Sequence, residues 1–280
     1  MPIGLKLDPA NLVPPFECSL PAVLREYGER ALFKSHALTR ETYSTESVLV
    51  NSSPRSTPAL KMTPFARRSR LLCDSDSVEL VRYAKEHGHE LASDNEANRA
   101  ISHIEVALSE VIGSYPFLLN AVSELVWCCH IVHPRSDEYD VSFSDPAIPF
   151  SIFVSAPART DRSSVLRVAE NLVHETMHLQ LTLFEGLCAL VNIASTWRMR
   201  SPWKRDQRPA QGLMHGLYVY SVLRWLWRQV SETTQNRIER EFALRRTADI
   251  DEEVLAIRAL EESPALTEEG RHFLRQLFSA

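Results

Sequence analysis

Apolar residues recur at intervals of three and four along most of the chain, which is the pattern of helices that bury one face. In 95–112, for example, Ile101, Ile104 and Leu108 lie on one face of a helix. The helices that this period predicts cover 17–50 (with breaks), 76–87, 95–112, 117–128, 164–195, 212–230 and 234–260, with a last helix opening at Thr267.

Two short stretches are typical of strands instead. Residues 148–156 are β-branched, aromatic and bounded by prolines, and 141–143 form a second, shorter candidate. Turn-forming residues dominate 51–64, and 197–209 is predicted to be a loop rich in tryptophan and arginine. We therefore expect a mainly α protein with a small β-sheet, an α+β fold.

Ser163 is the predicted N-cap of the helix over 164–195. Its buried face is predicted to consist of Val168, Leu172, Leu179, Leu183 and Leu187. The segment 91–280 that contains this helix is predicted to be a catalytic domain. Residues 1–90 are predicted to form a helical and loop region that helps to bind a substrate.

Composition excludes several classes of protein. The 280 residues carry a net charge of −5, so no basic excess predicts nucleic acid as a partner. A glycine-rich phosphate loop and a G-x-S-x-G motif are both absent from the sequence. Five cysteines without framework spacing favour a reducing compartment. With neither a signal peptide nor a membrane-spanning apolar stretch, the sequence predicts a cytoplasmic protein without a membrane partner.

The central helix contains the motif H-E-x-x-H, formed by His174, Glu175 and His178. Residues four apart lie on the same face of a helix, so both imidazoles can point at one metal ion. Glu175 lies about 100° round the helix, beside the ion. Chance gives roughly 0.05 such motifs in a chain of this composition, so the motif predicts a metal site on the helix.

A third metal ligand is needed to complete such a site. Glu185 lies on the same face, but two turns beyond His178, which is too far for the same ion on a straight helix. His215, early in the next predicted helix, is the better candidate. His130 and His133 have a spacing compatible with metal, but their segment favours strand or turn.

The motif and two flanking blocks resemble a known family. The motif lies within 171–179, and the two flanking blocks are 144–155 (SDPAIPFSIFVS) upstream and 201–209 (SPWKRDQRP), leading into 212–218 (GLMHGLY), downstream. Their order and spacing over 95–230 resemble the α-ketoglutarate-dependent HExxH-type peptide β-hydroxylases, also described as HExxH-motif peptide-modification proteins. The resemblance implies an Fe(II) enzyme that uses O2 and α-ketoglutarate (2-oxoglutarate) to hydroxylate the β-carbon of a residue in a peptide or precursor peptide, as in ribosomal peptide tailoring.

The resemblance implies His174, His178 and His215 as the iron ligands. The distal carboxylate of α-ketoglutarate then needs a cation, and the fork of an arginine suits it. Arg208 and Arg205 both lie between the second and third ligands in sequence, and Arg208 is favoured because it immediately precedes Pro209 and the helix of His215. Glu175 becomes a residue that orients a ligand or contacts substrate.

Two other functions remain open. A zincin-type zinc metallopeptidase would use Glu175 as its general base, although the metzincin continuation and a downstream glutamate ligand are missing. A non-catalytic metal-binding or scaffold protein would retain its function without His174. Near the site, Ser142, Ser144 and Asp145 would approach the motif if their strand borders it. Trp197 and Trp203 would either line the pocket or anchor their loop.

Overall fold

The computed structural model describes residues 8–33, 61–65, 69–73, 78–136 and 139–279. Within them the chain is mainly helical with two small sheets, which confirms the predicted α+β class. The chain divides into two compact units: a sheet unit, Pro21–Gln180, and a helical unit made of Met1–Leu20 and Leu181–Ala280. These units do not divide at residue 90. The predicted roles of 1–90 and 91–280 stay a prediction.

The α-helices of the described residues are, in chain order, α1 (Leu20–Phe33), α2 (Val78–Glu86), α3 (Asp94–Val106), α4 (Pro116–Leu125), α5 (Arg162–Glu185), α6 (Ala210–Thr233), α7 (Arg237–Ala256) and α8 (Glu268–Ser279). Several of these helices begin where a side chain at the first turn accepts a hydrogen bond from a backbone N–H. The Glu96 carboxylate accepts a hydrogen bond from the Ser93 N–H (2.8 Å) before α3, and the Asn236 side chain accepts one from the Ile238 N–H (2.9 Å) at α7.

The sheet unit contains five strands in the order β1-β2-β3-β5-β4. They are β1 (Lys61–Phe65), β2 (Ser69–Cys73), β3 (Cys128–Ile131), β4 (Ser142–Ser144) and β5 (Ser151–Val154). β3 pairs in parallel with β2 and β5, while β1 and β4 are antiparallel to their neighbours. The prediction of a loop over 51–64 was wrong for 61–64, which lie in β1, whereas 51–60 lie outside the described residues. The predicted helix at 117–128 ends at Leu125, before β3.

One face of this sheet carries a row of rings. Phe143, Phe153 and His130 are in register on β4, β5 and β3, with ring centroids 4.3 and 4.7 Å apart. Tyr83 of α2 packs on Phe153 at 5.7 Å. Because side chains alternate along a strand, the residues on either side of Phe143 point to the opposite face of the sheet.

A buried arginine on α6 bonds to two other helices of the helical unit. Arg224 donates to the Leu277 carbonyl on α8 (3.2 Å) and to Asp251 on α7 (3.3 Å). Burial lowers the pKa of this guanidinium. In the same unit, β6 (Arg198–Arg200) and β7 (Gln207–Pro209) form an antiparallel hairpin where the sequence predicted a loop.

The central helix ends ten residues earlier than predicted, at Glu185 rather than 195. The apolar run after it is a connection with turns and a single bridge between Val191 and Leu266, in which the Leu190 carbonyl accepts the Thr267 N–H (3.1 Å). Leu187, predicted to be buried, is therefore 43% exposed, whereas Val168, Leu172, Leu179 and Leu183 are buried as predicted. Within the described residues, no helix combines the length and the apolar character needed to cross a membrane.

Candidate metal centre

The helix that carries the motif begins at an acidic cap. The Asp161 carboxylate accepts hydrogen bonds from the N–H (2.9 Å) and the hydroxyl (3.0 Å) of Ser164, which lies three residues into the helix. The backbone hydrogen bond lowers the pKa of Asp161. The prediction of Ser163 as the cap was wrong, because Asp161 satisfies the N–H of Ser164 and Ser163 already lies in the first turn.

His174 and His178 point toward a common position. Their Nε2 atoms lie 3.2 Å apart, and the rings meet edge to face at 63° with centroids 4.9 Å apart. The side chain of His174 keeps 22% of its surface exposed, so at least one imidazole is open to a ligand. The sequence prediction that both imidazoles share one side of the helix is thereby confirmed.

The separation of the two nitrogens fits a metal ion. Two histidine nitrogens that bind one ion at about 2.0–2.1 Å, with an angle of about 90–110° at the metal, lie roughly 2.8–3.4 Å apart. The observed 3.2 Å falls within this interval. The described geometry of this pair is therefore compatible with neighbouring positions in one coordination shell.

Glu175 is a buried carboxylate held by two hydroxyl groups. The residue is 1% exposed, and its two oxygens accept hydrogen bonds from Ser142 (2.7 Å) and Ser144 (2.8 Å). Its Oε1 lies 3.9 Å from Nε2 of His174. Both oxygens of the carboxylate therefore have a hydroxyl donor, an arrangement that favours the ionised form next to the histidine pair.

The alternation of side chains on β4 explains how two serines reach one glutamate. Ser142 and Ser144 are two residues apart and share the face of β4 toward α5, while Phe143 between them joins the ring row. Asp145, which the sequence also placed near the motif, accepts a hydrogen bond from Tyr83 instead. Burial and this bond raise the pKa of Tyr83.

A two-pronged ion pair joins α5 to the segment before β4. Arg167 donates through Nε to one oxygen of Asp140 (2.7 Å) and through a terminal nitrogen to the other (2.8 Å). Arg167 lies seven residues before His174, and therefore close to the same side of the helix. The ion pair and the two serine hydrogen bonds together connect this side of α5 to β4 and to the residues just before it.

His215, the predicted third ligand, lies on α6 in the helical unit. Its Nε2 is 3.0 Å from Oε2 of Glu185, and the same oxygen accepts a hydrogen bond from Gln211 (2.9 Å). The side chains of His215 and Glu185 are 14% and 13% exposed. The pairing with Glu185 was not predicted from the sequence, which considered that residue only as a metal ligand.

The two predicted arginines lie on the β6–β7 hairpin. Arg205 is exposed in its connecting loop with a positive φ of 57°, and its N–H bonds to the Ser201 carbonyl (3.0 Å). Arg208 is 43% exposed and donates through Nε to Asp206 (2.9 Å), a bond that lowers the pKa of Asp206. Arg208 therefore bonds to a carboxylate of the protein itself, and a role for either arginine in cofactor binding stays a prediction.

Trp203 anchors this hairpin to the helices behind it. Its indole N–H donates to Glu253 on α7 (3.0 Å), and its ring stacks on Tyr220 of α6 with centroids 5.0 Å apart. A Cβ on Gly216 would lie 2.3 Å from the Trp203 ring, so only glycine allows this approach. Of the two roles open for Trp203, the structure supports the anchor. Trp197, which directly precedes β6, is partly buried.

The other histidines with metal-like spacing do not share a site. His130 is fully buried in the ring row on β3, whereas His133 pairs with Glu96 (2.8 Å). Across the residues that the structure describes, no group of three or more His, Cys, Asp or Glu side chains is placed to hold a metal ion. A complete metal site on the HExxH helix is therefore not shown, and its third ligand stays a prediction.

No family model matches the chain, and a search of curated proteins finds no match. The resemblance to the peptide hydroxylases therefore rests on the sequence motifs of this chain alone.

Proposed function

We propose that this chain is an Fe(II)- and α-ketoglutarate-dependent oxygenase that hydroxylates the β-carbon of an amino-acid residue in a peptide. The observation that carries the proposal is the 3.2 Å separation of the His174 and His178 nitrogens, beside the buried carboxylate of Glu175. The flanking sequence blocks support iron rather than zinc, because they resemble an iron-dependent family. Non-haem iron oxygenases require three protein ligands and leave the remaining positions for cofactor and oxygen.

In this proposal His174 and His178 hold the iron and His215 supplies the third ligand. Bound iron with α-ketoglutarate and O2 supplies the oxidation of a C–H bond, in which one oxygen atom becomes the new hydroxyl, the other enters succinate, and carbon dioxide leaves. Glu175 accepts hydrogen bonds from Ser142 and Ser144, and its carboxylate would place a negative charge beside the cation.

Arg208 is the favoured residue for the distal carboxylate of α-ketoglutarate. Its guanidinium can offer two parallel N–H donors to a carboxylate. Because Nε already donates to Asp206, the cofactor would have to share this guanidinium with Asp206 or displace it. Arg205 is the second candidate, because it is exposed in the loop and, unlike Arg208, does not lie next to the start of α6.

One observation favours a zinc metallopeptidase as the second candidate. The Oε1 atom of Glu175 lies 3.9 Å from Nε2 of His174, close to where a general base for a metal-bound water is needed. The two serine hydroxyls argue the other way, because they already occupy both oxygens of the carboxylate. The variant Glu175→Gln separates the two: it abolishes peptide cleavage by a peptidase, whereas the oxygenase keeps its metal and part of its turnover.

The proposal is tested by α-ketoglutarate turnover. Protein purified without oxygen is loaded with Fe(II) and α-ketoglutarate, its visible charge-transfer band is recorded, and succinate is measured after oxygen is admitted, with and without candidate peptides. We expect the band and oxygen-dependent succinate in the wild type and loss of both in His178→Ala. His272→Ala, an exposed histidine on α8, is the matched control and should behave as wild type. Absence of succinate together with tight zinc and chelator-sensitive cleavage would establish the peptidase instead.

A further inference from the structure

The β6–β7 hairpin carries a concentrated positive charge in an acidic protein. Residues 198–208 contain five basic side chains and one acidic side chain, whereas the whole chain has a net charge of −5. Arg198 and Arg200 of β6 are exposed, and their side chains share one face of the hairpin because they are two residues apart. Arg208 lies opposite Met199 and therefore on the other face, so the two arginines of β6 are separate from the arginine proposed for the cofactor.

The outer edge of β6 has main-chain groups that point away from the hairpin. The Ser201 N–H bonds to the carbonyl of Asp206, which lies opposite it where the register continues into the turn, at 2.8 Å. Opposite residues of an antiparallel pair alternate between those that bond to each other and those that do not. The N–H and C=O groups of Arg198 and Arg200 therefore point away from β7. Among the strands that the structure describes, β6 pairs with β7 alone.

The outer edge of β7 is less suited to a further strand. Pro209 has no N–H to donate to a neighbour. The Gln207 carbonyl already accepts a hydrogen bond from a terminal nitrogen of Arg198 (3.3 Å). This bond uses one of the five N–H donors of the guanidinium, so Arg198 can still bind a carboxylate. A strand that joins this hairpin thus finds its donors and acceptors on β6.

The hairpin is anchored from within its own unit. Trp203, between the two strands, donates to Glu253 on α7 (3.0 Å) and stacks on Tyr220 of α6. An edge that is already formed loses less conformational freedom when a partner binds.

The charge of the β6 edge indicates which strand fits it. Like charges directly opposite each other in a sheet are destabilising, so this edge disfavours pairing with the same edge of a second copy. An extended peptide with carboxylates two residues apart presents both of them on the face of Arg198 and Arg200. Its main chain bonds to the outward N–H and C=O groups, which is how a peptide adds a strand to a sheet edge.

We propose that the outer edge of β6 is a docking site for an extended acidic peptide segment, whose alternate carboxylates pair with Arg198 and Arg200. The inference does not use the metal centre, and it stands whether or not the chain is the proposed oxygenase. Under that function the acidic segment belongs to the peptide that is modified.

The affinity for a short labelled peptide is the first test, measured by fluorescence anisotropy with the intact protein. The probe alternates glutamate and threonine, and it should bind more tightly than a peptide of the same composition whose glutamates are adjacent. Arg198→Gln and Arg200→Gln should each weaken binding about 1.5–5-fold, and the double variant about 2–25-fold. Arg275→Gln removes the same charge from an exposed position on α8 and should leave the affinity unchanged. If it weakens binding as much as the β6 variants, the attraction is general and the inference is wrong.

Main-chain pairing is the second test. An antiparallel added strand bonds to β6 through the N–H groups of its glutamates, and a parallel one through those of its threonines. N-methylation of only the glutamates or only the threonines should therefore abolish binding of one peptide and spare the other. Equal affinities of the two methylated peptides would overturn the inference. So would an oligonucleotide that binds more tightly than the peptide and depends equally on Arg198 and Arg200. Failure to form succinate with both tests passed would reject the oxygenase and leave the docking site standing.

Discussion

Removing the two serine hydroxyls on β4 should destabilise the protein through Glu175. In the folded chain this carboxylate is 1% exposed and accepts hydrogen bonds from Ser142 and Ser144 at 2.7 and 2.8 Å. The variants Ser142→Ala and Ser144→Ala each delete one donor and leave a buried negative charge with less compensation.

The magnitude follows from the charge of the acceptor. A hydrogen bond to a charged group contributes about 1.5–3 kcal/mol, so each single variant should lose that amount and the double variant about 3–6 kcal/mol. Domains of this size have a free energy of unfolding of about 5–15 kcal/mol, so the double variant loses a large share. In a Glu175→Gln background the acceptor is neutral, and each serine should contribute only about 0.5–1.5 kcal/mol.

Urea unfolding, followed by circular dichroism, measures these differences. The control is Ser102→Ala, an exposed serine whose hydroxyl bonds to the Asn98 carbonyl of its own helix (3.3 Å), and it should change stability by less than about 0.5 kcal/mol. If the β4 serines cost no more than this control, and cost the same with glutamate or glutamine at position 175, the carboxylate is not held as described.

Two further predictions concern the elements that position the site. Asp161→Ala removes the cap of α5 and should cost about 1 kcal/mol near neutral pH; since folding lowers the pKa of this carboxylate, its contribution is complete above the ordinary value of 3.8 and is lost as the pH falls through the lower folded-state pKa, so urea midpoints of variant and wild type should converge in acid. Gly216→Ala forces a methyl group against Trp203 and should lose about 1–3 kcal/mol by overpacking, with a change in tryptophan fluorescence. Gly212→Ala, whose Cβ would have 4.0 Å to its nearest neighbours, should instead be neutral or slightly stabilising, and equal effects of the two substitutions would refute the packing argument.

Periodicity predicted the helices well where a helix has one apolar face and a clear cap. The final helix shows this, since Thr267 accepts the Gly270 N–H (2.9 Å) at its start as a hydroxyl cap should. Periodicity was wrong where apolar residues continued past the end of a helix. The run after Glu185 is as hydrophobic as the helix before it, but it leaves the helix and bonds to residues near Thr267, more than 70 positions away.

The candidate site shows the same division. The spacing of His174 and His178 was sufficient to predict that they share one face, because four residues make about one turn. The strand predicted at 141–143 also indicated that Ser142 and Ser144 would approach the motif if that strand borders it. The pairing of Glu185 with His215 could not be predicted, because it depends on how α5 and α6 pack in three dimensions. The only signal was that Glu185 lies on the same line of α5 as the two histidines.

The central claim is that His174 and His178 form a metal centre, and an anaerobic Fe(II) titration of the purified protein tests it most directly. The account predicts binding of about one Fe(II) per chain. His174→Ala and His178→Ala should each weaken binding by more than roughly 10–100-fold, the usual loss when only a residue that supports a ligand is removed. His272→Ala should leave binding unchanged. Absence of binding in the wild type, or binding that neither substitution weakens, would contradict it.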